Sequence, residues 1–354
     1  MEQGSNEPAA SDTMNATLTL IQNLEAGTLL TPKQAESLME ELLSGRMETA
    51  GVIRLLQALN LRPVEPAELA SFARVMRQHA APVFPSGMAL PEKMVDTCGT
   101  GGDGSGTFNI STAAAIVASA AGARVAKHGN RSGSSRCGSA DVLEVLGVRI
   151  DLPLEHAGRS IRKIGIGFLF APAAHAATRH VIPARKQIAK RTVFNLLGPL
   201  TNPAGAQRQV VGVFSGEVMD LVAATLAELG VERAIVLHGA GGLDEISPAG
   251  ETEIAEVRAG SIRRYRVAPE DFGVQRAPLH AIRGGSPEEN AKLIRELLEG
   301  QRGAPHDAVV MNAAAALVVT DNAEDFGSAA EMATEAIASG AAKEKLRQLV
   351  DFVE

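Results

Sequence analysis

DTCGTGGDGSGTFNIST, Asp96 to Thr112, is the stretch whose reading decides the fold. The run MVDTC, 94–98, reads as a strand, and the alanine-rich run AAAIVASAAGA beginning at Ala113 reads as a helix. Between them, five of the eight residues from Gly99 to Gly106 are glycine. Such a loop offers backbone N–H groups with no Cβ in the way, and Asn109, Ser111 and Thr112 gather where the helix opens. That combination suits phosphate oxygens and, through the Ser111 hydroxyl, a metal-bound phosphate. Asp103 inside the loop would repel phosphate if it faced it, so it reads as an orienting residue or a partner for hydroxyls. Gly99-x-Gly101-x-x-Gly104 also satisfies the dinucleotide fingerprint. In that fingerprint the third glycine opens the helix and an acid follows about 20 residues later. Here Ser105 to Asn109 intervene, and the next acid after Asp103 is Asp141. A glycine-rich turn with an ordinary helix cap is the plainer alternative.

Outward from this loop the chain alternates strand-like and helix-like segments. Strands are predicted at 94–98, 124–127, 168–171, 209–214 and 234–239, and helices near 110–122, 138–147, 155–164, 217–229, 288–299 and 306–319. TEIAEVRAG followed by SIRRYRV reads as an edge hairpin. From about Ala16 to Ala80 the pattern is helical throughout, opened in part by Thr31-Pro32-x-Gln34, a capping residue, a proline at the first helical position and a capping-box partner. Residues 1–14 are small and polar and read as a flexible tail. The fold class predicted is α/β: a small all-α N-terminal domain, then a larger α/β domain with a mostly parallel central sheet.

The chain has 354 residues, 45% hydrophobic and 21% charged, with a mean hydropathy of +0.04. That is ample apolar material for a core and too little charge for disorder. Aromatics are 3% and tryptophan is absent, which argues against stacking platforms for single-stranded nucleic acid. No run reaches the roughly 18 apolar residues of a membrane span, and no secretory leader pattern opens the chain. Cys98 and Cys137 form no CxxC pair, which fits a reducing compartment and argues against a structural zinc site. A cytoplasmic protein is therefore expected rather than a secreted or membrane one. The net charge of -7 averages opposite regions. His156 to Gly216 holds no acid and nine basic residues, and Gly104 to Ala140 holds no acid and Arg124, Lys127, Arg131 and Arg136. Basic runs beside glycine loops predict a basic pocket for small anions.

Three further motifs carry chemistry. Lys127-His128-Gly129-Asn130-Arg131-Ser132-Gly133-Ser134-Ser135 follows a predicted strand and offers a lysine point charge with small donors for a diphosphate. Leu243-Asp244-Glu245-Ile246-Ser247 sets adjacent carboxylates at a strand end, an arrangement suited to Mg²⁺. RKQIAKRTVFNLLGPLTNP, 185–203, runs a basic helix into a Gly-Pro and Asn-Pro loop and can present Arg185 to a carboxylate.

GTGGD, NIST, KHGNR, LDEIS and RTVFNLLGPLTNP, in this order after a short helical domain, make the chain similar to the anthranilate phosphoribosyltransferase family over about residues 16–350. The resemblance implies the nucleoside phosphorylase type of fold, with about 173–198 joining 15–89 in the helical domain and 90–172 with 199–354 forming the α/β domain. It implies a homodimer, with no nucleic-acid or membrane partner, that transfers the phosphoribosyl group of 5-phosphoribosyl 1-diphosphate (PRPP) to anthranilate in a Mg²⁺-dependent reaction. By motif it places Gly99, Gly102, Asp103, Thr107, Asn109, Ile110, Ser111, Thr112, Lys127, Ser135 and Ser139 on PRPP. It places Gly99, His128, Asn130, Arg185 and Gly198 on anthranilate, and Ser111, Asp244 and Glu245 on the metal. The family usually has His-Pro and Leu-Gly where this chain has His175-Ala176 and Ile188-Ala189. A nucleoside phosphorylase of the same fold, or a nucleic-acid-binding relative using the basic stretch from Arg159 to Arg208, are the alternatives.

Overall fold

The computed structural model describes residues 10–133 and 136–353. The chain forms two compact units, one running to His79 and taking in Ala177–Leu197, the other comprising Ala80–Ala176 and Gly198–Glu354. The second unit thus begins ten residues before residue 90, because Ala81 donates its N–H to the Ala174 carbonyl and Val83 and Phe84 are buried with Met94, Leu154 and Leu169.

The first unit is built on the helices Ala10–Glu25, Pro32–Ser44, Thr49–Leu59 and Pro66–Gln78. The first begins inside the stretch predicted to be a tail. Its later turns are anchored by buried Ile21 and Leu24, and once a helix is nucleated each added residue costs little. Thr31 caps as its sequence demands: its N–H donates to Gln34 Oε1 at 2.9 Å and its Oγ1 accepts from the Gln34 N–H at 3.4 Å. Ile182–Ile188 packs against Thr49–Leu59 in the same unit.

The second unit carries a seven-stranded sheet. Its strands are β1 (Met94–Asp96), β2 (Arg124–Gly129), β3 (Ile166–Phe170), β4 (Arg208–Gly212), β5 (Arg233–Gly239), β6 (Thr252–Arg258) and β7 (Ser261–Val267), in the order β3-β2-β1-β4-β5-β6-β7. β1 to β5 are parallel, and β6 and β7 form the antiparallel hairpin at the edge. The strand order reverses between β1 and β4. In an open parallel sheet such a reversal leaves a crevice at the carboxyl ends of the strands.

The core is small-residue packing. The helix Ala304–Val319 is buried nearly all round and lies against Ile110–Ala120, whose alanines let the two axes approach closely. Phe194–Leu200 carries a helix through the Gly198-Pro199 step that reads as a loop in the sequence, and Phe326–Ala338 and Ala341–Asp351 go beyond the predicted set. Their Ala, Gly and Ser content blurs the apolar period, and Asp325, which accepts from the Ser328 N–H at 2.8 Å, is the one clear start signal.

Ala189 ends the Ile182–Ile188 helix at φ +50°, ψ +24°, a left-handed conformation that penalises any Cβ. Ala189→Gly should therefore stabilise the protein by about 1 kcal/mol, read as a higher midpoint in urea unfolding. An unchanged or lower midpoint would mean that the site carries no such strain.

Candidate active site

The crevice at the β1/β4 reversal is closed by backbone rather than by side chains. Gly212 ends β4, and the segment after β5 lies directly across it: a Cβ at Gly212 would collide with the Asp244 carbonyl. A Cβ at Gly99 would stand 3.0 Å from the Gly212 oxygen and 3.3 Å from Asp244 Oδ2. The Thr100 N–H donates to that same Gly212 oxygen at 2.8 Å. The glycine loop then turns through Gly101, Gly102, Gly104 and Gly106, all at positive φ. It is held from outside the motif as well: Phe108 N–H donates to the Ile282 carbonyl at 3.2 Å and Gly284 N–H to the Gly106 carbonyl at 2.9 Å.

These contacts bring the sequence motifs together. Asp244 Oδ2 accepts from the Gly101 N–H at 2.8 Å, and Glu245 Oε1 from the Ser111 N–H at 3.1 Å. Asp103 orients the loop, accepting from the Ser105 N–H at 3.1 Å and the Asp244 N–H at 3.4 Å. Lys127, buried at the end of β2, donates to the Thr97 carbonyl at 3.1 Å and to Ser111 Oγ at 3.4 Å. Ser139 Oγ donates to the Asn130 carbonyl at 3.2 Å. Asn109 donates to the Cys137 carbonyl at 3.2 Å and accepts from Asn290 Nδ2 at 2.9 Å.

Ile110 is turned into the core, and its N–H donates to the Phe108 carbonyl at 2.7 Å. Ser135 lies outside the described residues. Three of the basic residues in the acid-free runs are placed or engaged apart from the crevice. Arg208 and Arg124 begin β4 and β2, at the end of the sheet away from the crevice, and Arg208 pairs with Asp321. Arg131 pairs with Asp141 and Glu144. The crevice itself gathers Asp96, Asp103, Asp244 and Glu245 around Lys127.

Burial first, and then the charge of Asp103, raises the Asp244 carboxyl well above its ordinary range; burial and then Asp244 do the same to Glu245. Two crowded, partly dehydrated carboxylates present hard oxygen donors that a divalent cation of the Mg²⁺ kind would satisfy. Asp96 is fully buried, takes the His128 N–H at 3.1 Å and Asn202 Nδ2 at 2.8 Å, and is pushed up to about 6, chiefly by burial. His128 is pushed down to about 3 by burial and then by His175, so its imidazole is neutral. Its Nδ1 lies 3.2 Å from the Gly198 carbonyl, which can only accept, so Nδ1 carries the proton. Burial, and next the charge of Asp96, pushes the Cys98 thiol up. Arg185, in the helical unit, stacks over Phe194 at 5.6 Å.

Sequence reasoning missed Asn312. It sits in the alanine-rich helix Ala304–Val319, 3% exposed, and grips the Ile246 peptide on both sides: its Oδ1 accepts the Ile246 N–H at 2.9 Å and its Nδ2 donates to the Ile246 carbonyl at 3.1 Å. That peptide follows Glu245 directly. An asparagine among alanines in a buried helix was the one signal available.

Residues 91–343 match the glycosyl transferase family a/b domain, and residues 18–80 the helical bundle domain of the same family. The anthranilate phosphoribosyltransferase of Pelotomaculum thermopropionicum is 50% identical over 332 residues, covering 94% of this chain and 95% of that protein. The chain belongs to the anthranilate phosphoribosyltransferase family. The crystal structure of the family member from Thermus thermophilus is 44% identical, with a TM-score of 0.88 over 94% of this chain and 98% of that one. The anthranilate phosphoribosyltransferase of Saccharomyces cerevisiae in complex with PRPP and Mg is 26% identical, with a TM-score of 0.86 over 97% of this chain and 98% of that one. The helical unit and the mostly parallel sheet are thus the architecture of this family. Among the described residues no helix is long and apolar enough to cross a membrane.

Two outcomes follow from the site's geometry. Asn312→Leu should weaken Mg²⁺ binding about tenfold, the equivalent of about 1.4 kcal/mol, measured by calorimetry on protein of unchanged circular dichroism. A lower melting point with the same Mg²⁺ affinity would reduce Asn312 to packing. The raised carboxyls also set a sign. Between the ordinary carboxylate range and the raised folded values, the metal-free folded state holds protons that the unfolded chain has lost, so stability falls as pH rises through that window. The stability gained by Glu245→Gln over the parent should grow from pH 4 to pH 8 in urea titrations without metal. A gain independent of pH would remove the strained carboxylate.

Proposed function

We propose that this chain transfers the phosphoribosyl group of PRPP to the amine of anthranilate, giving N-(5-phosphoribosyl)anthranilate and diphosphate in tryptophan biosynthesis. The observation that carries this reading is the meeting of the glycine loop, Lys127 and the Asp244–Glu245 pair at one strand-order reversal. Family membership supports it, as does the yeast relative solved with PRPP and Mg and with 4-fluoroanthranilate.

In this reading the loop N–H groups of Gly99 to Thr107, the first turn at Asn109, Ser111 and Thr112, and the loop from Lys127 to Ser139 receive PRPP. Asp244 and Glu245, with the Ser111 hydroxyl, hold Mg²⁺. Bound there, the ion supplies charge neutralisation to the departing diphosphate. Lys127 adds an ammonium fixed by Thr97 and Ser111, so no reorganisation is needed as charge develops on the leaving group. The anthranilate nitrogen already carries its lone pair at neutral pH, so the bond from the ribosyl carbon to oxygen breaks and the bond to nitrogen forms without a strong base. The amine loses its proton once the C–N bond is made. The protein's task is positioning.

By motif, Arg185, always protonated, is assigned to the anthranilate carboxylate, and His128, Asn130 and Gly198 to the ring. A cytoplasmic homodimer completes the proposal: of the large apolar side chains that are exposed, Leu18, Leu29, Leu61 and Ile182 all lie on the helical unit, where a second copy could cover them.

Glu245→Gln should lower kcat by about 10² or more at saturating Mg²⁺ while the protein remains folded; near-parental rates would sink the metal assignment. Arg185→Ala should raise the anthranilate KM about tenfold or more with the PRPP KM unchanged, followed by loss of anthranilate fluorescence. An unchanged KM would move the carboxylate site elsewhere.

A further inference from the structure

The residues beneath the glycine loop include a donor set distinct from the Asp244–Glu245 pair. One ligating atom each from Asp96, Cys98 and His128 lies within 4.8 Å of the others. Asp96 and His128 are buried and Cys98 is half-buried at the start of the loop. With Nδ1 of His128 turned to the Gly198 carbonyl, Nε2 keeps its lone pair, and that nitrogen is buried without a hydrogen-bond partner. An orphaned buried acceptor carries an unmet cost that a Lewis acid can relieve. Among the described residues, the hydrogen bond of the Cys98 thiol is a 3.5 Å contact to the Gly99 carbonyl of the next residue.

We propose that Asp96, Cys98 and His128 form a binding site for a borderline-soft divalent cation of the zinc type, separate from the hard-oxygen site at Asp244 and Glu245. Thiolate, imidazole and carboxylate together are a zinc donor set, and three protein ligands leave a fourth position open. Bond lengths of about 2.0–2.3 Å place donors on one zinc roughly 3–4 Å apart, a contraction that rotation of the Cys98 side chain would have to supply. Coordination forms a sulfur–metal bond and releases the thiol proton to solvent. Lys127 opposes a cation here, but its ammonium is bonded to Thr97 and Ser111, and the carboxylates of Asp96, Asp244 and Glu245 all act on the Cys98 sulfur in the opposite sense. Mg²⁺, which avoids sulfur, is excluded from this set.

The test is binding, which stands apart from the catalytic reading. The full chain, in saturating Mg²⁺, is titrated with Co²⁺ as a spectroscopic stand-in and with Zn²⁺. A thiolate-to-cobalt charge-transfer band that saturates at one ion per chain and is bleached by Zn²⁺ is expected. Cys98→Ser should abolish the band and weaken zinc at least about 100-fold, beyond the loss that outer-shell changes alone produce, while Cys137→Ser keeps both. Absence of the band in the parent protein overturns the site, as does a band that survives Cys98→Ser or disappears in Cys137→Ser. Inhibition by zinc, unlike its binding, rests on the reading of His128 as an anthranilate contact. It should be competitive with anthranilate and relieved by a zinc-selective chelator. Zinc binding that is instead lost in Asp244→Asn and kept in Cys98→Ser would mean zinc merely replaces Mg²⁺, and the proposal fails.

Discussion

The close approach of Gly212 to the Asp244 carbonyl is the constraint on which the rest of the site depends. β4 is the strand that returns beside β1 after the chain has travelled out to β3, so its carboxyl end faces the loop after β1 on one side and the segment after β5 on the other. With no side chain at that end, both can reach it. Thr100 takes the Gly212 carbonyl, Asp244 crosses above it, and Asp244 then accepts from Gly101. Segments 143 residues apart become neighbours, joined by the Gly101 N–H and the Asp244 carboxylate. Any Cβ at Gly212 would have to push the acid-bearing segment away, a kind of overpacking that commonly costs about 1–3 kcal/mol and here would be spent at the one place where geometry matters most.

That closeness has an electrostatic cost. Asp103, Asp244 and Glu245 are drawn together and partly stripped of water, and the fold holds them there with neutral clamps: loop N–H groups on the oxygens and the Asn312 amide on the Ile246 peptide. None of these clamps cancels the charge. A site that is strained until a cation arrives binds that cation more tightly than a relaxed one, because relief of the repulsion adds to the attraction. Stability is given up at rest for affinity when the metal is present.

How much of this was legible in the sequence follows the range of each signal. Thr31-Pro32-x-Gln34 and Ser286-Pro287-x-Glu289 specify caps whose partners are three residues away, and both caps form as written. The β-rich runs at 94, 209 and 234 are strands within a few residues because buried parallel strands need continuous apolar side chains. Gly212 could not be recognised, since QVVGVF reads as a strand with an incidental glycine and its reason lies in a segment after β5. Asn312 and Asn290 were silent for the same cause: each serves a peptide or side chain far away in sequence. Composition misled outright for charge. A linear run of arginines does not know that a strand has two ends, and Arg124 and Arg208 sit at the wrong one.

The relocation of those arginines changes what can hold an anion in the crevice. Arg208 is committed to Asp321 and Arg131 to Asp141 and Glu144, while Lys127, loop N–H groups and the first turn of the Ile110–Ala120 helix stand beside the Asp244–Glu245 pair. Partial charges at a helix start contribute about 0.3–1 kcal/mol for an exposed anion, well short of what a diphosphate meeting buried carboxylates requires. The balance can be made favourable only by a divalent cation carried in between the two sets of oxygens. On the proposed reading, a polyanionic substrate in this crevice is recognised as its metal complex.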